Sequence, residues 1–417
     1  MERDYRDGRP EKRARLDEVR ESGEVAQLAH SYSGGGREEL QYLPHAPGNA
    51  PQMNGGNRAS PPWREDDKDG HYTFELGENL TPRYKILSKM GEGTFGRVLE
   101  CWDRDEAQYV AIKVIRNVQK YRDAAMIEID VLQTLQKHDK GGLRRCVALK
   151  SWFDYRHHIC MVFERLGPSL FDFLKRNQYR AFPLDMVRAF GRQLLESVAY
   201  MHELTLIHTD LKPENILLVS SDYSKVPESK GSKYFKRVPA SSDIKLIDFG
   251  SATFDNQYHC SVVSTRHYRA PEVILGLGWS FPCDLWSVGC ILVELVTGDA
   301  LFQTHENLEH LAMMERVLGP MPVSMVKRAD RRSEKYFRNG RELNWPDGAV
   351  SRESIRAVRR VARLRDLITA SVDHSASELV DLIQGLLAYE PHERTPAKEA
   401  LKHPFFRDSK SSRGRSR

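Results

Sequence analysis

Apolar side chains recur with two different spacings along this chain, and the change of spacing separates two regions. Between residues 83 and 164 the stretches RYKIL, VLECWD, QYVAIKVI and ICMVFE are short, apolar and aromatic, as is typical of β-strands. One helix among them is predicted by the apolar spacing of Ala125, Ile129 and Leu132. A second, long amphipathic helix is predicted by the stripe formed by Met186, Phe190, Leu194, Val198 and Met201. The sequence therefore predicts a strand-rich region followed by a mainly helical one.

Two later stretches also predict helices that pack against a core. WSVGCILVELVTG is the most apolar part of the chain, but Glu294 interrupts it and it is too short to span a bilayer, so a buried helix is expected and no membrane segment. In EHLAMMERVLGP the stripe of Leu311, Met314 and Leu318 predicts a helix with one face turned to a core. The first eighty or so residues show neither period and are rich in Gly, Pro and charge, which predicts a flexible arm over residues 1–83.

Composition agrees with a globular chain that carries a polar arm. Its 417 residues, 40% of them hydrophobic and 29% charged, are enough for two lobes or domains with real cores. The six cysteines form no C-x-x-C pair and no zinc pattern, and the start MERDYRDGRP has no apolar signal segment, so reduced thiols and an intracellular location are expected.

The net charge of +5 is modest but unevenly placed. The basic runs are KRAR at residues 12–15, KRADRR from Lys327, VRRVARLR from Val358, and RDSKSSRGRSR at residues 407–417. Such runs are either solvated patches or, alternatively, a nuclear-import signal or a site for an anionic partner.

A glycine-rich motif is the first candidate for chemistry. GEGTFGRV matches G-x-G-x-x-G, a spacing that dinucleotide-binding folds and protein kinases share. A dinucleotide site needs a helix directly after the glycines, whereas strand-type runs flank this motif on both sides. Strand, glycine loop and strand indicate a flap over ATP phosphates, in which Gly91, Gly93 and Gly96 let the backbone approach the oxygens and Phe95 shields them from water.

Charged residues further along supply the remaining parts of a phosphoryl-transfer site. Lys113 ends the tetrad VAIK, where an ammonium could neutralise phosphates, and Glu128 lies in the predicted helix that follows, either as its partner or as an ordinary surface glutamate. In HTDLKPEN, Asp210 can accept a substrate hydroxyl proton, Lys212 can steady the transferred phosphoryl group, and Asn215 can hold magnesium. Asp248 in IKLIDFG is the expected main magnesium ligand.

Other residues are expected to shape and anchor the site. Phe163 would close the back of an adenine pocket, and the backbone from Glu164 to Leu166 would bond the adenine edge. Glu272 and Arg394 would form a buried ion pair that anchors the substrate-binding segment, the stretch STRHYRAPE at residues 264–272. Asp284 would bond the backbone of the catalytic loop. The segment 219–243 is longer than a hairpin turn needs, and we interpret it as a surface insert of unknown purpose.

In this order, GEGTFGRV, VAIK, Glu128, HTDLKPEN, DFG, APE, DLWSVG and Arg394 resemble a eukaryotic protein kinase domain over residues 84–406. The resemblance implies an α+β fold with a small antiparallel lobe that carries one key helix (about 84–166) and a larger, mainly helical lobe (about 167–406). The literal string LAMMER and the Thr in HTDLKPEN resemble the LAMMER, or CDC-like, kinases. The sequences FKR and IKLIDFGSATF, within and after the insert, resemble the plant members.

The resemblance implies further residues and partners. It places Thr265 within hydrogen-bonding reach of Asp210 and Lys212. It adds to the ATP-binding set Met90, Glu92, Thr94, Val98, Ala111, Leu166 and Leu217. It implies Mg²⁺ and ATP as cofactors, Ser/Thr phosphorylation with Tyr autophosphorylation, a nuclear and also cytoplasmic location, and Arg/Ser-rich splicing factors as substrates. The protein is expected to be a monomer, without direct sequence-specific binding of nucleic acid and without a membrane partner.

The chain departs from the family pattern at two places, and two alternative functions remain open. The arm has almost no Arg-Ser repeats, which puts targeting through it in doubt, and Thr209 replaces the usual arginine beside Asp210. A proline-directed kinase is one alternative, and a pseudokinase scaffold is another. We hypothesise that the basic segment from Lys327 to Arg365 holds acidic or phosphorylated substrate stretches, the alternative being a solvated face.

Overall fold

The computed structural model describes residues 63–227, 233–372 and 376–407, and within them the chain folds into two lobes. The small lobe is a five-stranded antiparallel sheet in the order β1-β2-β3-β5-β4, with one long helix packed on it. Its elements are β1 (Tyr84–Gly93), β2 (Gly96–Asp103), β3 (Gln108–Ile115), α1 (Gln119–His138), β4 (Leu149–Tyr155) and β5 (His158–Glu164).

The alternation of side chains along β3 gives the sheet two different faces. Val110, Ile112 and Val114 are buried in an outer cluster with residues of β1 and β2. Ala111 and Lys113 lie between them in sequence and therefore point to the opposite face, where α1 and the large lobe lie. The polar lysine is thus turned toward the interface of the lobes by strand geometry alone.

The large lobe is mainly helical, as predicted. Its helices are α2 (Leu170–Arg176), α3 (Leu184–Glu203), α4 (Pro271–Leu275), α5 (Pro282–Thr297), α6 (Asn307–Leu318), α7 (Val323–Lys327), α8 (Arg352–Arg360), α9 (Leu364–Ser371), α10 (Ala376–Leu386) and α11 (Ala397–Ala400). Short strand pairs complete it: β6 (Leu206–Ile207) with β11 (Thr253–Phe254), β7 (Ile216–Leu218) with β10 (Ile244–Leu246), β8 (Tyr223–Pro227) with β9 (Phe235–Pro239), and β12 (Phe337–Arg338) with β13 (Glu342–Leu343).

Helix α5 lies at the centre of the large lobe. It contacts α3, α9 and α10, and Trp286 is fully buried in it. Glu294, the charge that interrupts its apolar stretch, is buried and accepts a hydrogen bond from the hydroxyl of Tyr268 at 2.6 Å. A buried helix was expected here, and no helix in the described part of the chain has the length and apolarity to cross a membrane.

The predicted arm ends earlier than residue 83, which corrects the expected boundary. Tyr72 and Leu80 are buried in the outer cluster of the small lobe, and Arg64 pairs with Glu78. This segment lacks a strand or helix period because it is irregular chain that packs against the sheet. Buried side chains, ion pairs and a few backbone hydrogen bonds to the small lobe hold it. We call residues 63–83 the strap. The KRAR run and residues 408–417 lie outside the described residues.

The segment 219–243, interpreted from sequence as a surface insert, contains a β-hairpin. Strands β8 and β9 pair in register from Tyr223 opposite Pro239 to Pro227 opposite Phe235, and residues 228–232 between them are not described. Asn177 of the large lobe anchors the hairpin through two hydrogen bonds with the backbone of Arg237.

Helix α6 carries the LAMMER string, with Leu311 and Met314 buried and Leu318 partly buried, as its spacing predicted.

Candidate active site

The glycine-rich loop is the turn between β1 and β2. The two strands pair up to Gly93 opposite Gly96, so only Thr94 and Phe95 form the turn. A side chain at Gly96 would lie 2.1 Å from the carbonyl oxygen of Val114, so packing requires glycine there. A side chain at Gly91 or Gly93 would meet no protein atom within 4 Å. The strand, loop and strand arrangement predicted from sequence is confirmed, and it leaves room for phosphates under the loop.

Below the loop, one face of the sheet collects the residues expected around a nucleotide. Val98 lies opposite Lys113, and Ala111 lies opposite Phe163, so all four share the face toward the large lobe. Leu166 is buried where the chain enters the large lobe, and Leu217 lies partly buried on β7 beneath this point. The remaining members of the predicted set are at the loop: Met90 is exposed, while Glu92 pairs with Lys89 and Arg97.

Three charged side chains from distant parts of the chain meet behind the loop. Lys113 Nζ lies 2.9 Å from both carboxylate oxygens of Glu128 and 3.4 Å from Oδ1 of Asp248. Burial alone would lower the pKa of Lys113, but the two carboxylates more than offset it and hold that pKa above its ordinary value. Burial raises the pKa of Glu128, against the effect of the lysine. The glutamate is therefore the partner of Lys113 and no surface residue.

A cavity lies between the loop, β3 and α1. It is lined by Phe95, Lys113, Glu128, Asp248 and Gly250, among others. The ring of Phe95 packs edge-on against Tyr121 of α1 with 5.5 Å between centroids. The loop tip, the lysine and the carboxylates thus border one space.

The catalytic loop holds Asp210 in one orientation. Its Oδ2 accepts a hydrogen bond from Lys212 Nζ at 2.7 Å, and its Oδ1 accepts bonds from the backbone N–H and hydroxyl of Thr265 at 2.8 and 2.7 Å. Lys212 also lies 3.0 Å from the Thr265 hydroxyl. Burial would raise the pKa of Asp210, but the lysine and these hydrogen bonds lower it below its ordinary value. Asp210 is therefore a carboxylate, and so a hydrogen-bond acceptor, at neutral pH.

Asp284 fixes the backbone of this loop, as expected. Its two carboxylate oxygens accept hydrogen bonds at 2.9 Å from the N–H groups of His208 and Thr209. His208 is buried, and its Nδ1 accepts the N–H of Asp210 at 3.2 Å while its Nε2 donates to the Ile247 carbonyl. His208 therefore joins the catalytic loop directly to the residue that follows β10.

Asn215 and Asp248 present the oxygen ligands that a hard divalent cation prefers. Asn215 donates its amide N–H to the carbonyl of Asp210 at 2.9 Å, so its amide oxygen points away from that carbonyl. Asp248 has a positive φ of 63°, which turns its carboxylate out of the strand line toward Lys113. Two oxygen ligands fit Mg²⁺, which is commonly held by one or two protein side chains and by substrate phosphates.

The substrate-binding segment is anchored by the predicted buried pair. Arg394 is bidentate to Glu272, with N–O distances of 2.7 and 3.0 Å, and both side chains are almost fully buried. The guanidinium also donates to the carbonyls of Ala388, Pro282 and Tyr389, and it stacks over the ring of Trp286.

Sequence reasoning missed the part that Thr209 plays. Its hydroxyl donates to the carbonyl of Ser251 at 2.9 Å, and its own carbonyl accepts the hydroxyl of Ser264 at 2.6 Å. Thr209 therefore joins Ser251 and Ser264, the ends of the stretch 251–264 that we call the activation segment, to the catalytic loop through neutral hydrogen bonds. Its left-handed backbone, with φ of 69°, was not readable from the motif.

Sequence reasoning also missed the contact between the strap and the glycine-rich loop. Arg97 donates to Glu92 of the loop, to Asp67 of the strap and to the Tyr72 carbonyl, at 2.8 to 2.9 Å. Arg116 bridges the same two segments, donating to the carbonyls of Asp69 and Thr94. The acidic run DDKD before Gly70, matched by arginines beside the loop, is the signal that could have indicated it.

Comparison with known proteins agrees with this geometry. The family model described as "Protein kinase domain" matches residues 84–406. The chain is 62% identical over 416 residues to serine/threonine-protein kinase AFC2 of Arabidopsis thaliana, with 96% of each chain covered. It is 48% identical over 347 residues to human dual specificity protein kinase CLK2, and this match covers 82% of this chain and 67% of CLK2.

A solved structure supports the fold. The crystal structure of a kinase domain superposes with a TM-score of 0.75 at 39% identity, covering 82% of this chain and all of the other. Identity to several plant, fungal and animal kinases, dual-specificity enzymes among them, extends across the whole catalytic domain. The chain therefore belongs to the protein kinase family, and within it to the LAMMER kinases with the Ser/Thr and dual specificity of that group, as a member that fits the plant branch.

Proposed function

We propose that this kinase phosphorylates Arg/Ser-rich splicing factors and so regulates pre-mRNA splicing, in the nucleus and also in the cytoplasm. Membership of the LAMMER family supports this substrate class. The proposed enzyme works as a monomer with Mg²⁺ and ATP, without direct sequence-specific binding of nucleic acid and without a membrane partner.

The observation that carries the catalytic assignment is the position of Asp210. Its lowered pKa keeps the carboxylate ionised, and Lys212 and Thr265 leave it little rotational freedom. In the proposed reaction it orients the substrate hydroxyl and accepts its proton, with Lys212 and Thr265 beside the transferred group. Because both neighbours are already in place, little reorganisation is needed at the moment of transfer.

The other charged residues have positioning and electrostatic roles in this proposal. Magnesium, when bound, neutralises phosphate charge, and Asp248 and Asn215 would hold it. Lys113, kept in place by Glu128, contacts phosphate oxygens and stabilises the charge that develops on them. The glycine-rich loop covers the phosphates and excludes water.

A peptide array tests the substrate class directly. The purified chain is assayed with Mg-ATP on Arg-Ser repeat peptides, on Ser-Pro peptides of equal length, and on peptides in which Lys replaces Arg. Phosphorylation of the Arg-Ser set at least about tenfold above the Ser-Pro set supports the proposal. Preference for Ser-Pro would replace it with a proline-directed kinase. Absence of phosphorylation in all three peptide sets would leave a scaffold protein.

A further inference from the structure

Within the described residues, the basic segment from Lys327 to Arg365 has a first part in which several arginines pair with carboxylates and a second part in which most arginines do not. In the first part, arginines have carboxylate partners: Arg328 pairs with Glu390 and Arg338 with Asp347, at 2.5 and 2.6 Å. Arg332 pairs with its neighbour Asp330. In the run KRADRR, Arg328 and Arg332 thus have carboxylate partners, whereas Lys327 and Arg331 are exposed and form no ion pair within the described residues.

The second part presents guanidinium groups on one surface. We call arginine face the exposed side chains of Arg352, Arg356, Arg359, Arg360 and Arg363. Within the described residues, the carboxylate in ion-pair contact with this set is Glu353, at a long 3.4 Å from Arg356. Two further acidic side chains belong to adjoining elements: Asp366 lies in the first turn of α9, and Glu309 of α6 accepts a hydrogen bond from Ser354. The charge of the arginine face is therefore largely uncompensated.

Helix α8 accounts for the shared direction of these side chains. Arg352, Arg356 and Arg359 follow one another at intervals of four and three residues, so they form a stripe along the helix. The opposite side is buried through Ser354 and Val358 against α6. Ser354 donates to Glu309 of α6 at 2.5 Å, which holds α8 with the stripe turned to solvent.

Helix α6 connects the arginine face to the substrate-binding segment. At its first residue, Asn307 accepts a hydrogen bond from Arg266 of that segment at 2.8 Å. At its other end, Arg316 donates to the carbonyl of Val361, directly after α8. A helix of this length spans roughly 18 Å, a distance that about six extended residues cover. One protein substrate could therefore reach both places.

We propose that the arginine face binds the phosphorylated stretch of a substrate whose next serine lies at Asp210. The proposal rests on the proposed Arg/Ser-rich substrate class. An unmodified Arg-Ser pair carries one positive charge and is repelled by the arginine face. Phosphate adds about −1.5 to −2, which reverses the sign, and the planar guanidinium matches phosphate oxygens in a bidentate manner. The enzyme's own product thus becomes the form that this surface holds.

A nucleic acid is the competing polyanion, and the surface fits it less well. Proteins that bind single-stranded nucleic acid combine basic side chains with exposed aromatic rings for base stacking. Within the described residues, α8 and α9 contribute no large exposed aromatic side chain. The arginine face therefore offers phosphate contacts without stacking.

Binding to the full-length chain carrying Asp210→Asn tests the proposal without turnover. The probes are a fluorescent Gly-Ser repeat peptide with eight phosphoserines, its unphosphorylated form, and a single-stranded RNA of equal length, measured by anisotropy at fixed salt. Arg359→Gln/Arg360→Gln should weaken phosphopeptide binding about fivefold to tenfold. The control pair Lys137→Gln/Lys140→Gln removes the same charge from exposed positions of the small lobe and should leave it nearly unchanged.

Each outcome decides between the alternatives. Equal weakening by both pairs would reduce the effect to net charge and overturn the proposal, as would tight binding of the unphosphorylated peptide. RNA binding that exceeds phosphopeptide binding and is lost in the α8 pair would assign the surface to nucleic acid instead. The probe contains no arginine, so its binding is independent of whether the array identifies Arg-Ser substrates.

Discussion

Arg394→Lys isolates the contribution of the buried guanidinium to the stability of the large lobe. The substitution keeps the positive charge beside Glu272 but replaces a planar group by a compact ammonium. In the structure all five N–H groups of Arg394 are used, because its nitrogens donate to both oxygens of Glu272 and to three backbone carbonyls.

The loss can be estimated from these contacts. A lysine has three donors on one nitrogen, so at least two of the five acceptors lose their partner, and the pair loses its bidentate geometry. A buried acceptor left unpaired costs about 1–3 kcal/mol, and breaking a buried ion pair altogether costs about 3–5 kcal/mol. Because the charge remains, we expect the free energy of unfolding to fall by about 3 kcal/mol. For a lobe of this size that corresponds to a Tm lower by about 6–12 °C.

Thermal unfolding followed by tryptophan fluorescence measures this shift, since Trp286 lies directly beneath the guanidinium. The matched control is Arg332→Lys, the same chemical change at a side chain that is 81% exposed and pairs with Asp330 at 3.3 Å. An exposed pair contributes about 0–1 kcal/mol, so the control should shift Tm by no more than about 4 °C. Equal shifts in both variants would refute the argument that the buried, fully used guanidinium anchors this lobe.

Further expectations follow from the site. Asp210→Asn should lower turnover by about 10²-fold or more while nucleotide affinity, measured by calorimetry, stays nearly unchanged. Asp67→Ala should raise the KM for ATP about threefold to tenfold with little change in kcat, because Arg97 loses its strap contact beside the glycine-rich loop. Phosphatase-treated protein should keep most of its initial rate, because Thr209 holds the activation segment by neutral hydrogen bonds. Iodoacetamide at pH 8 should leave Cys101 unmodified in the folded protein, as followed by mass spectrometry, since burial raises its pKa to about 12.

Each of these four predictions has a control or a result that would contradict it. Near-wild-type turnover of the Asp210 variant would show that another group accepts the proton. Glu75→Ala removes a strap ion pair with Arg64 away from the loop, and an equal rise in KM would contradict the role of Arg97. A tenfold loss of rate after phosphatase, regained on incubation with Mg-ATP, would show that phosphorylation orders the segment. Rapid labelling of Cys101 before unfolding would contradict its burial.

The sequence by itself was sufficient for the elements and for the local chemistry. The period of two in QYVAIKVI turns Lys113 toward the cleft, and the helical spacing around Glu128 places it on the buried side of α1. Asp210, Lys212 and Asn215 lie within six residues, so the backbone of one loop keeps them together. These features depend on neighbours in the chain, and such dependence is readable as pattern and spacing.

Only the tertiary structure decided which distant groups meet. Lys113 contacts an aspartate 135 positions away, and Arg394 contacts a glutamate 122 positions away. At such separations periodicity carries no information, and of these two contacts only the second was expected. The strap was predicted to be flexible because its own sequence shows no strand or helix period. Its order comes from contacts with residues of the small lobe, Arg97 and Arg116 among them. The basic runs looked equivalent in sequence, yet Arg328 and Arg332 of the first pair with carboxylates, whereas most arginines of the second do not within the described residues. Burial and ion pairing are properties of the packed neighbourhood, and that neighbourhood exists only once the chain has folded.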